Sequence, residues 1–238
     1  MRLDKLLGEV GFGSRRTVKR LIKSKQVVVN GEVVMEDNTN VDPQIQEIVV
    51  SGKKVDYQPH AYYMMNKPGG VVSAVADEKN ETVIDLIKES DRLPGLYPVG
   101  RLDKDTEGLL LITNNGNLGY QLLLPHKHVA KKYEVIVNER VTSADQEAFA
   151  KGIVFHGGIQ CKPAQLSILE ATDTESRVIV EIKEGKFHQV KKMFLACGKK
   201  VTSLKRLSMG PIELDEKLPA GAYRPLSIEE LNQLTPYF

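Results

Sequence analysis

Three short stretches of the sequence carry side chains that could do chemistry. The first, GRLDKDTEGLLLITNNG, places Arg101, Asp103 and Asp105 directly ahead of the apolar run GLLLIT. Catalytic groups commonly lie on loops that a rigid element positions, and a carboxylate there can act as a nucleophile or stabilise developing positive charge. The same residues also suit a structural turn in which Asp103, Asp105 and Thr106 bond to nearby backbone N–H groups. The stretch is therefore a candidate active-site loop with a structural alternative.

The other two stretches are KKYEVIV, which holds Tyr133, and EGKFHQVKKM, which holds Lys191 and Lys192. A tyrosine has an aromatic face and a polar tip, so Tyr133 could stack on a ring or move a proton. It would equally serve as a half-buried strand residue. The two lysines follow a predicted strand and could either pair with an anion or cover a solvated helix face. Spacing alone leaves these alternatives open.

The composition indicates a globular chain. Of its 238 residues 41% are hydrophobic and 27% charged, which excludes wholesale disorder, collagen-like repeats and disulfide-stapled miniproteins. No run approaches about 18 apolar residues and the start lacks the apolar segment of a signal peptide, so we expect a cytoplasmic protein without a membrane partner. Its cysteines, Cys161 and Cys197, form no C-x-x-C pair, so neither a zinc site nor a disulfide framework is predicted.

The net charge of +2 hides an uneven distribution. Residues 1–30 carry eight basic and two acidic side chains, while residues 31–58 carry two basic and six acidic ones. Residues 185–206 carry seven basic side chains and no acidic one. Two basic zones of this kind suit a phosphate backbone, because each phosphate that is neutralised releases counterions. Solvated helix faces are the alternative.

Residues 1–58 are predicted to form a compact N-terminal unit. Leucines at helical spacing indicate a first helix, and Ser14 is predicted to cap a second helix, SRRTVKRLIKS, with one apolar and one basic face. Asn30-Gly31 between β-branched runs predicts a hairpin, and a second pair of strands is predicted over IQEIVVSGKKV.

Residues 59–238 are predicted to form a second domain of mixed α and β structure. The predicted strands are YYMMNKP, GLLLIT, KKYEVIVN and RVIVEIKEG, and the predicted helices are ETVIDLIKES, TSADQEAFAKG and FHQVKKMFLACGKK. Ser227 and Glu230 have capping-box spacing near the end. Strands outnumber helices and the connections are uneven, so we expect an α+β fold with a mixed, largely antiparallel sheet and flanking helices.

Several of these stretches together resemble one enzyme family. GRLDKDTEGLLLITNNG resembles the signature of the pseudouridine synthases that modify ribosomal RNA, and EGKFHQVKKMF and AGAYRPLSIEEL resemble later motifs of that family. The N-terminal RLDKLL…SRRTVKRLIKSKQVVVNG is similar to an S4 RNA-binding domain. The resemblance covers essentially the whole chain. It implies an S4 domain at residues 1–58 and a catalytic domain at residues 59–238, built on a bent, mixed sheet.

The resemblance also implies roles for individual residues. Asp103 occupies the position of the family's catalytic aspartate, and Lys191 that of the cation that keeps it ionised. Many relatives have arginine there, and lysine keeps the charge without the bidentate fork. Tyr133 matches a tyrosine that stacks on the uracil and takes or relays the proton lost from C5. Arg101 would fill the space that the flipped uridine leaves or grip the adjacent phosphate. Asp105 and Thr106 would hold the loop.

The implied partner is ribosomal RNA, either free or in an assembling small subunit. The side chains expected to contact it are Arg2, Lys5, Arg15, Arg16, Lys19, Arg20, Arg101 and Lys192. The reaction is an isomerisation without redox change, so we expect no metal and no organic cofactor. A monomer is the default expectation.

The substrate implied is one uridine of 16S ribosomal RNA, by resemblance the one at position 516. Lys191 and the string HQVKKM favour this small-subunit branch. The alternatives are a 23S enzyme of the same family and a non-catalytic S4-type RNA-binding or ribosome-assembly factor. Since a pure binder has no need of Asp103, Tyr133 and Lys191 together, that last alternative is disfavoured.

Overall fold

A computed structural model describes residues 1–57, 60–155 and 157–237 of the chain. The α-helices in these residues are α1 (Leu3–Glu9), α2 (Arg15–Lys23), α3 (Gly116–Leu123), α4 (Ser143–Lys151), α5 (Gln189–Ala196) and α6 (Ile228–Gln233). The first strands are β1 (Val27–Val29), β2 (Glu32–Val33), β3 (Ile48–Val50), β4 (Lys53–Lys54), β5 (Tyr62–Lys67), β6 (Tyr97–Pro98) and β7 (Glu107–Thr113). They are followed by β8 (Lys131–Val137), β9 (Gln165–Ala171), β10 (Ser176–Ile182), β11 (Val201–Met209), β12 (Ile212–Glu213) and β13 (Tyr223–Pro225).

The N-terminal unit packs α1 and α2 against a four-stranded antiparallel sheet in the order β2-β1-β3-β4. The predicted turn joins β1 to β2, and its two residues Asn30 and Gly31 have φ of +50° and +84°, as a two-residue hairpin turn requires. The Ser14 side chain accepts from the backbone N–H of Thr17, which confirms the predicted cap of α2. Leu3, the helix leucines and the strand valines form a core of their own.

The second part of the chain is built on a nine-stranded sheet. Its main order is β13-β5-β7-β11-β8-β10-β9, with β6 on β7 and β12 on β11. The pairing of β7 with β11 is parallel, and the other pairings of this sheet are antiparallel. This confirms the predicted α+β class with a mixed, largely antiparallel sheet. Register shifts within β11 bend that central strand.

Helices cover both faces of this sheet, so its central strands are apolar on both sides. Alternate residues of β5 and β7 fall into two separate clusters: Met65 and Leu110 pack under α4 and α5, while Met64 and Leu109 pack under α3 and α6. Because successive strand residues point to opposite faces, a strand buried on both sides is a continuous apolar run. This explains the runs YYMM and GLLLI.

The predicted helix ETVIDLIKES is wrong, since residues 83–86 form turns instead. Thr82 and Asp85 bond to each other through backbone and side chain, with Asp85 Oδ2 2.8 Å from both the Thr82 N and Oγ1 atoms. Val72 forms an isolated bridge with Thr82, and Val83 and Ile87 are buried in the core. These tertiary contacts override the helical spacing of the apolar residues. The predicted helices at α4 and α5 and the predicted strands of this domain are confirmed.

The predicted domain boundary between residues 58 and 59 falls on Gln58 and Pro59, which lie outside the described residues. The N-terminal unit and the second domain nevertheless touch. The Tyr62 hydroxyl donates to the buried carboxylate of Asp42 and accepts from Asn115 Nδ2 at 2.8 Å. Ile45 packs against the cluster under α3 and α6. The domain limits themselves stay a prediction.

Candidate active site

A cleft of about 640 Å³ opens beside the central strands of the large sheet. One wall is the loop of residues 100–106, here called the aspartate loop, and the other is the turn of residues 183–188 together with the start of α5. The side chains of Arg101, Asp103, Tyr133, His188 and Arg206 all line it. The structure therefore brings three separate parts of the sequence to one site.

Asp103 faces two cationic or potentially cationic side chains across the cleft. Lys191 Nζ lies 3.2 Å from Asp103 Oδ2 and 2.6 Å from Asp105 Oδ1, so one lysine bridges both carboxylates. His188 Nε2 lies 3.4 Å from the other oxygen of Asp103. The expected pairing of Asp103 with Lys191 is thus present in the geometry, while Asp105 takes the shorter bond.

The charges of this cluster stabilise one another. The hydrogen bond from Lys191 holds the pKa of Asp105 below its usual value. Burial alone would lower the pKa of Lys191, but hydrogen bonds and charge from Asp105 and Asp103 outweigh it, and the pKa is raised. Lys191 therefore carries a full positive charge at neutral pH, next to Asp103.

A buried lysine at the end of β5 anchors the aspartate loop. Lys67 is fully buried, and its ammonium donates to the carbonyl oxygens of Pro68 at 2.9 Å, Lys104 at 3.2 Å and Thr106 at 2.8 Å. Burial lowers the pKa of Lys67 to about 8, against the opposing charges of Asp105, Glu107 and Asp103. The sequence reasoning missed this residue. The signal in the sequence was the lysine that ends the strand YYMMNK, directly after its apolar residues and Asn66.

The floor of the cleft is aromatic and cationic. Tyr133 on β8 is paired with Arg206 on β11, and both are buried. Arg206 Nε donates to the Leu109 carbonyl oxygen at 2.7 Å, and Lys131 on the same face of β8 as Tyr133 donates to a backbone carbonyl. Burial, and then the charge of Arg206, lower the pKa of Lys131 to about 8. Within the described residues neither cation has a carboxylate partner, so this floor favours a ligand with acceptor oxygens.

Close packing of two strands fixes Arg206 in the floor. Arg206 lies beside Gly108 in the parallel pair of β11 and β7. Gly108 has a φ of +95°, and a Cβ atom there would lie 2.3 Å from the Arg206 carbonyl oxygen. Only glycine allows this approach.

The basic zone of residues 185–206 does not form one continuous basic surface. Arg206 is buried, and Lys199 is paired with Asp145 at 2.8 Å.

The opposite wall is held by hydrogen bonds around one glutamate. Glu184 pairs with Lys186 and accepts from Gln189 Nε2 and the Lys162 N–H at 2.8 and 2.9 Å. His188 has a φ of +52° at the start of α5. That left-handed residue turns the chain so that both His188 and Lys191 reach Asp103.

The basic residues predicted to contact RNA divide into two groups. Arg2, Lys5 and Lys19 are each paired with an acidic side chain of the N-terminal unit, namely Asp4, Glu9 and Asp37. Arg15, Arg16 and Arg20 lie exposed on α2 and have no ion pair within the described residues. Arg101 is exposed at the cleft, and Lys192 is half-buried on α5.

Known protein families match both parts of the chain. An RNA pseudouridylate synthase model matches residues 61–196, and an S4 domain model matches residues 1–44. The chain belongs to the RNA pseudouridine synthase family. An uncharacterized RNA pseudouridine synthase of Bacillus subtilis is 45% identical over 98% of this chain and 98% of its own length. The ribosomal small subunit pseudouridine synthase A of Yersinia pestis is 36% identical over 97% of each.

Solved structures agree with this family. A crystal structure of a pseudouridylate synthase covers 99% of this chain and 100% of its own, with a TM-score of 0.68 and 34% identity. The chain is thus a pseudouridine synthase, an isomerase, with an N-terminal S4 domain, as the resemblance implied. Within the described residues no helix is long and apolar enough to cross a membrane, and no three His, Cys, Asp or Glu side chains group as a metal site.

The unpaired arginines of α2 predict the salt dependence of RNA binding by this pseudouridine synthase. Log affinity falls as log salt concentration rises, with a slope of roughly −0.7 to −0.9 for each phosphate contact. We expect the variant with Arg15→Gln, Arg16→Gln and Arg20→Gln to make this slope less steep by about 2. The matched control replaces Arg2, Lys5 and Lys19, whose charges are already paired, and should change the slope less. An unchanged slope in the first variant would remove α2 from the RNA interface. Filter binding over a salt series measures both.

Loss of Lys67 should destabilise the synthase. We expect Lys67→Met to lower the free energy of unfolding by about 2–4 kcal/mol, because three carbonyl oxygens lose their buried donor. Lys104→Met on the same loop removes only an exposed bond to Asn80 and should change it by less than about 0.5 kcal/mol. Since the pKa of Lys67 falls from 10.5 to about 8 on folding, wild-type stability should rise relative to Lys67→Met between those pH values. Urea unfolding of the wild type and both variants at several pH values measures these differences in stability. Equal urea midpoints for the wild type and Lys67→Met at every pH would contradict the prediction.

Proposed function

We propose that this pseudouridine synthase converts one uridine of 16S ribosomal RNA, the one at position 516, to pseudouridine, with Asp103 as the catalytic carboxylate. The observation that carries the site is the meeting of Asp103 with Lys191 and His188 in a cleft that also holds Tyr133. The small-subunit assignment is supported by relatives of that name in Yersinia pestis and Escherichia coli, each 36% identical over 97% of this chain.

The reaction exchanges one bond for another without changing the atoms of the nucleotide. The N1–C1′ bond breaks, the uracil turns within the cleft, and a C5–C1′ bond forms. C5 then loses a proton while N1 ends protonated. A uridine must leave its stack to reach Asp103 in the wall of the cleft, and the exposed Arg101 on the same loop can fill the vacated space or hold the adjacent phosphate.

Each side chain of the proposed site has a distinct task. Asp103 supplies a negative charge at the sugar or the base, and the ion pair with Lys191 holds that carboxylate in place. Tyr133 offers its ring to the uracil and its hydroxyl to the C5 proton. The half-buried Lys131 and the buried Arg206 place donors near the uracil oxygens or the target phosphate. None of these steps needs a metal or a redox cofactor.

The S4 domain would act as a docking module for folded RNA. Its free arginines on α2 suit phosphate contacts, which position a protein on RNA by shape rather than by base sequence. The catalytic cleft would then select one uridine through local RNA structure. The partner is therefore 16S ribosomal RNA or the assembling small subunit.

Mapping of pseudouridines in ribosomal RNA from a strain that lacks this protein tests the proposal. We expect one site in 16S RNA to lose the modification and to regain it with the wild-type gene but not with Asp103→Asn. Loss of a 23S site would instead assign the large-subunit activity. Loss of no site in either RNA would contradict a ribosomal substrate.

A further inference from the structure

An exposed aromatic ring stands at the rim of the cleft without a role in the chemistry above. Phe187 is 73% exposed, more than any other large hydrophobic residue among those described, and it lines the same cleft as Asp103. A single exposed apolar side chain is ordinary on a protein surface, so exposure alone assigns the ring no role. The position of Phe187 at the cleft and its neighbours are what indicate one.

The ring is held next to the reacting groups. It stacks on His188 with ring centroids 3.8 Å apart and an angle of 22° between the planes. His188 in turn lies 3.4 Å from Asp103. Phe187 is therefore one side chain away from the carboxylate, on the solvent side.

A lysine ammonium lies beside the ring. Lys192 Nζ lies 4.8 Å from the centroid of the Phe187 ring, and no acidic residue occurs between residues 185 and 206. The nearby Glu184 is already engaged by Lys186 and Gln189. An exposed aromatic ring beside a cation without a carboxylate partner is a combination with which proteins bind single-stranded nucleic acid.

We propose that Phe187 is a stacking platform for the base next to the uridine that enters the cleft, with Lys192 on the adjoining phosphate. Removal of one base from a stack exposes the faces of its neighbours. Phe187 covers one such face, and stacking does not depend on which base it is. This inference rests on the proposed function, because it presumes an RNA strand in the cleft. It adds a binding group outside the reaction itself.

The first test combines a protein variant with a modified RNA. We would measure binding of Phe187→Leu, which keeps an apolar side chain without a ring, to a short RNA with one uridine flanked by purines. We expect the dissociation constant to rise roughly 5- to 150-fold, the range for one stacked base, with kcat at saturating RNA nearly unchanged. An RNA with an abasic site beside the uridine should weaken wild-type binding to a similar extent. It should add no further loss for Phe187→Leu, because the two changes remove the same contact.

A second test uses the absence of tryptophan from the chain. Phe187→Trp creates a single fluorescent reporter at the platform, and its emission should be quenched saturably by the intact RNA and much less by the abasic RNA. Ile228→Trp is the matched control, because Ile228 is 66% exposed on α6 and does not line the cleft. Its emission should not change.

The outcomes separate this inference from the proposed function. Unchanged RNA affinity in Phe187→Leu, or quenching that ignores the abasic site, overturns the platform even if pseudouridine still forms. A drop in kcat with unchanged affinity also overturns it, and makes Phe187 a support for His188. If instead the wild type makes no pseudouridine in ribosomal RNA while Phe187→Trp is quenched as described, the platform stands and the proposed substrate fails.

Discussion

The Asp103→Asn variant should bind RNA and form no pseudouridine. The amide keeps the size of the side chain and can still accept a hydrogen bond from Lys191, 3.2 Å away in the wild type, but it carries no charge and is a poor nucleophile. We expect turnover to fall by at least about 10⁴-fold, the order found when a central catalytic group is removed. The dissociation constant for RNA should change little. Nucleoside analysis of RNA after long incubation measures the first quantity and filter binding the second.

Asp105→Asn is the matched control for this variant. Asp105 lies on the same loop and holds the same lysine at 2.6 Å, but its side chain is largely exposed. Its loss frees Lys191 for Asp103 alone, so substantial turnover should remain. Equal turnover in the wild type and Asp103→Asn would show that Asp103 is not the catalytic carboxylate. Turnover abolished only in Asp105→Asn would show the same.

The Lys191→Met variant should show the second largest loss. It leaves Asp103 and Asp105 as like charges without the cation between them, so we expect turnover to fall by about 10²–10³-fold. The pKa of Asp105, which Lys191 holds down, should rise. Steady-state rates measure the loss of turnover, and an NMR titration of the carboxylates measures the rise in the pKa of Asp105.

Lys191→Arg distinguishes charge from shape at this position. Arginine keeps the positive charge and can bond to two oxygens at once. It should retain most of the turnover, and the pKa of Asp105 should stay below its usual value. If Lys191→Arg is as inactive as Lys191→Met, turnover depends on the shape of the lysine side chain rather than on its charge. If Lys191→Met is fully active, the ion pair has no part in catalysis.

The sequence predicted local elements well where the signal was itself local. The Asn30-Gly31 hairpin, the Ser14 cap and the capping box of Ser227 and Glu230 all form as predicted. The helix predicted over ETVIDLIKES does not form, because buried side chains and the bonds between Thr82 and Asp85 fix turns there. Helical spacing cannot show such tertiary competition.

The site was accessible to sequence reasoning only in part. The family motifs pointed to Asp103 and Lys191, which lie far apart in the chain and meet through the parallel pairing of β7 with β11 and the start of α5. The motifs did not show that Lys67 holds the loop from below. Nor could charge counting show that Arg206 is buried rather than on a basic surface. Those facts depend on sheet order, which residue spacing does not specify.

Release of tritium from RNA labelled at C5 of uridine tests the central claim most directly, because pseudouridine formation replaces that hydrogen by the bond to the sugar. Purified protein would be mixed with labelled 16S RNA, with labelled 23S RNA as the parallel substrate. The proposed function predicts release of one tritium equivalent from 16S RNA by the wild type and none by Asp103→Asn. Release from 23S RNA alone, no release by the wild type, or equal release by Asp103→Asn would contradict the account.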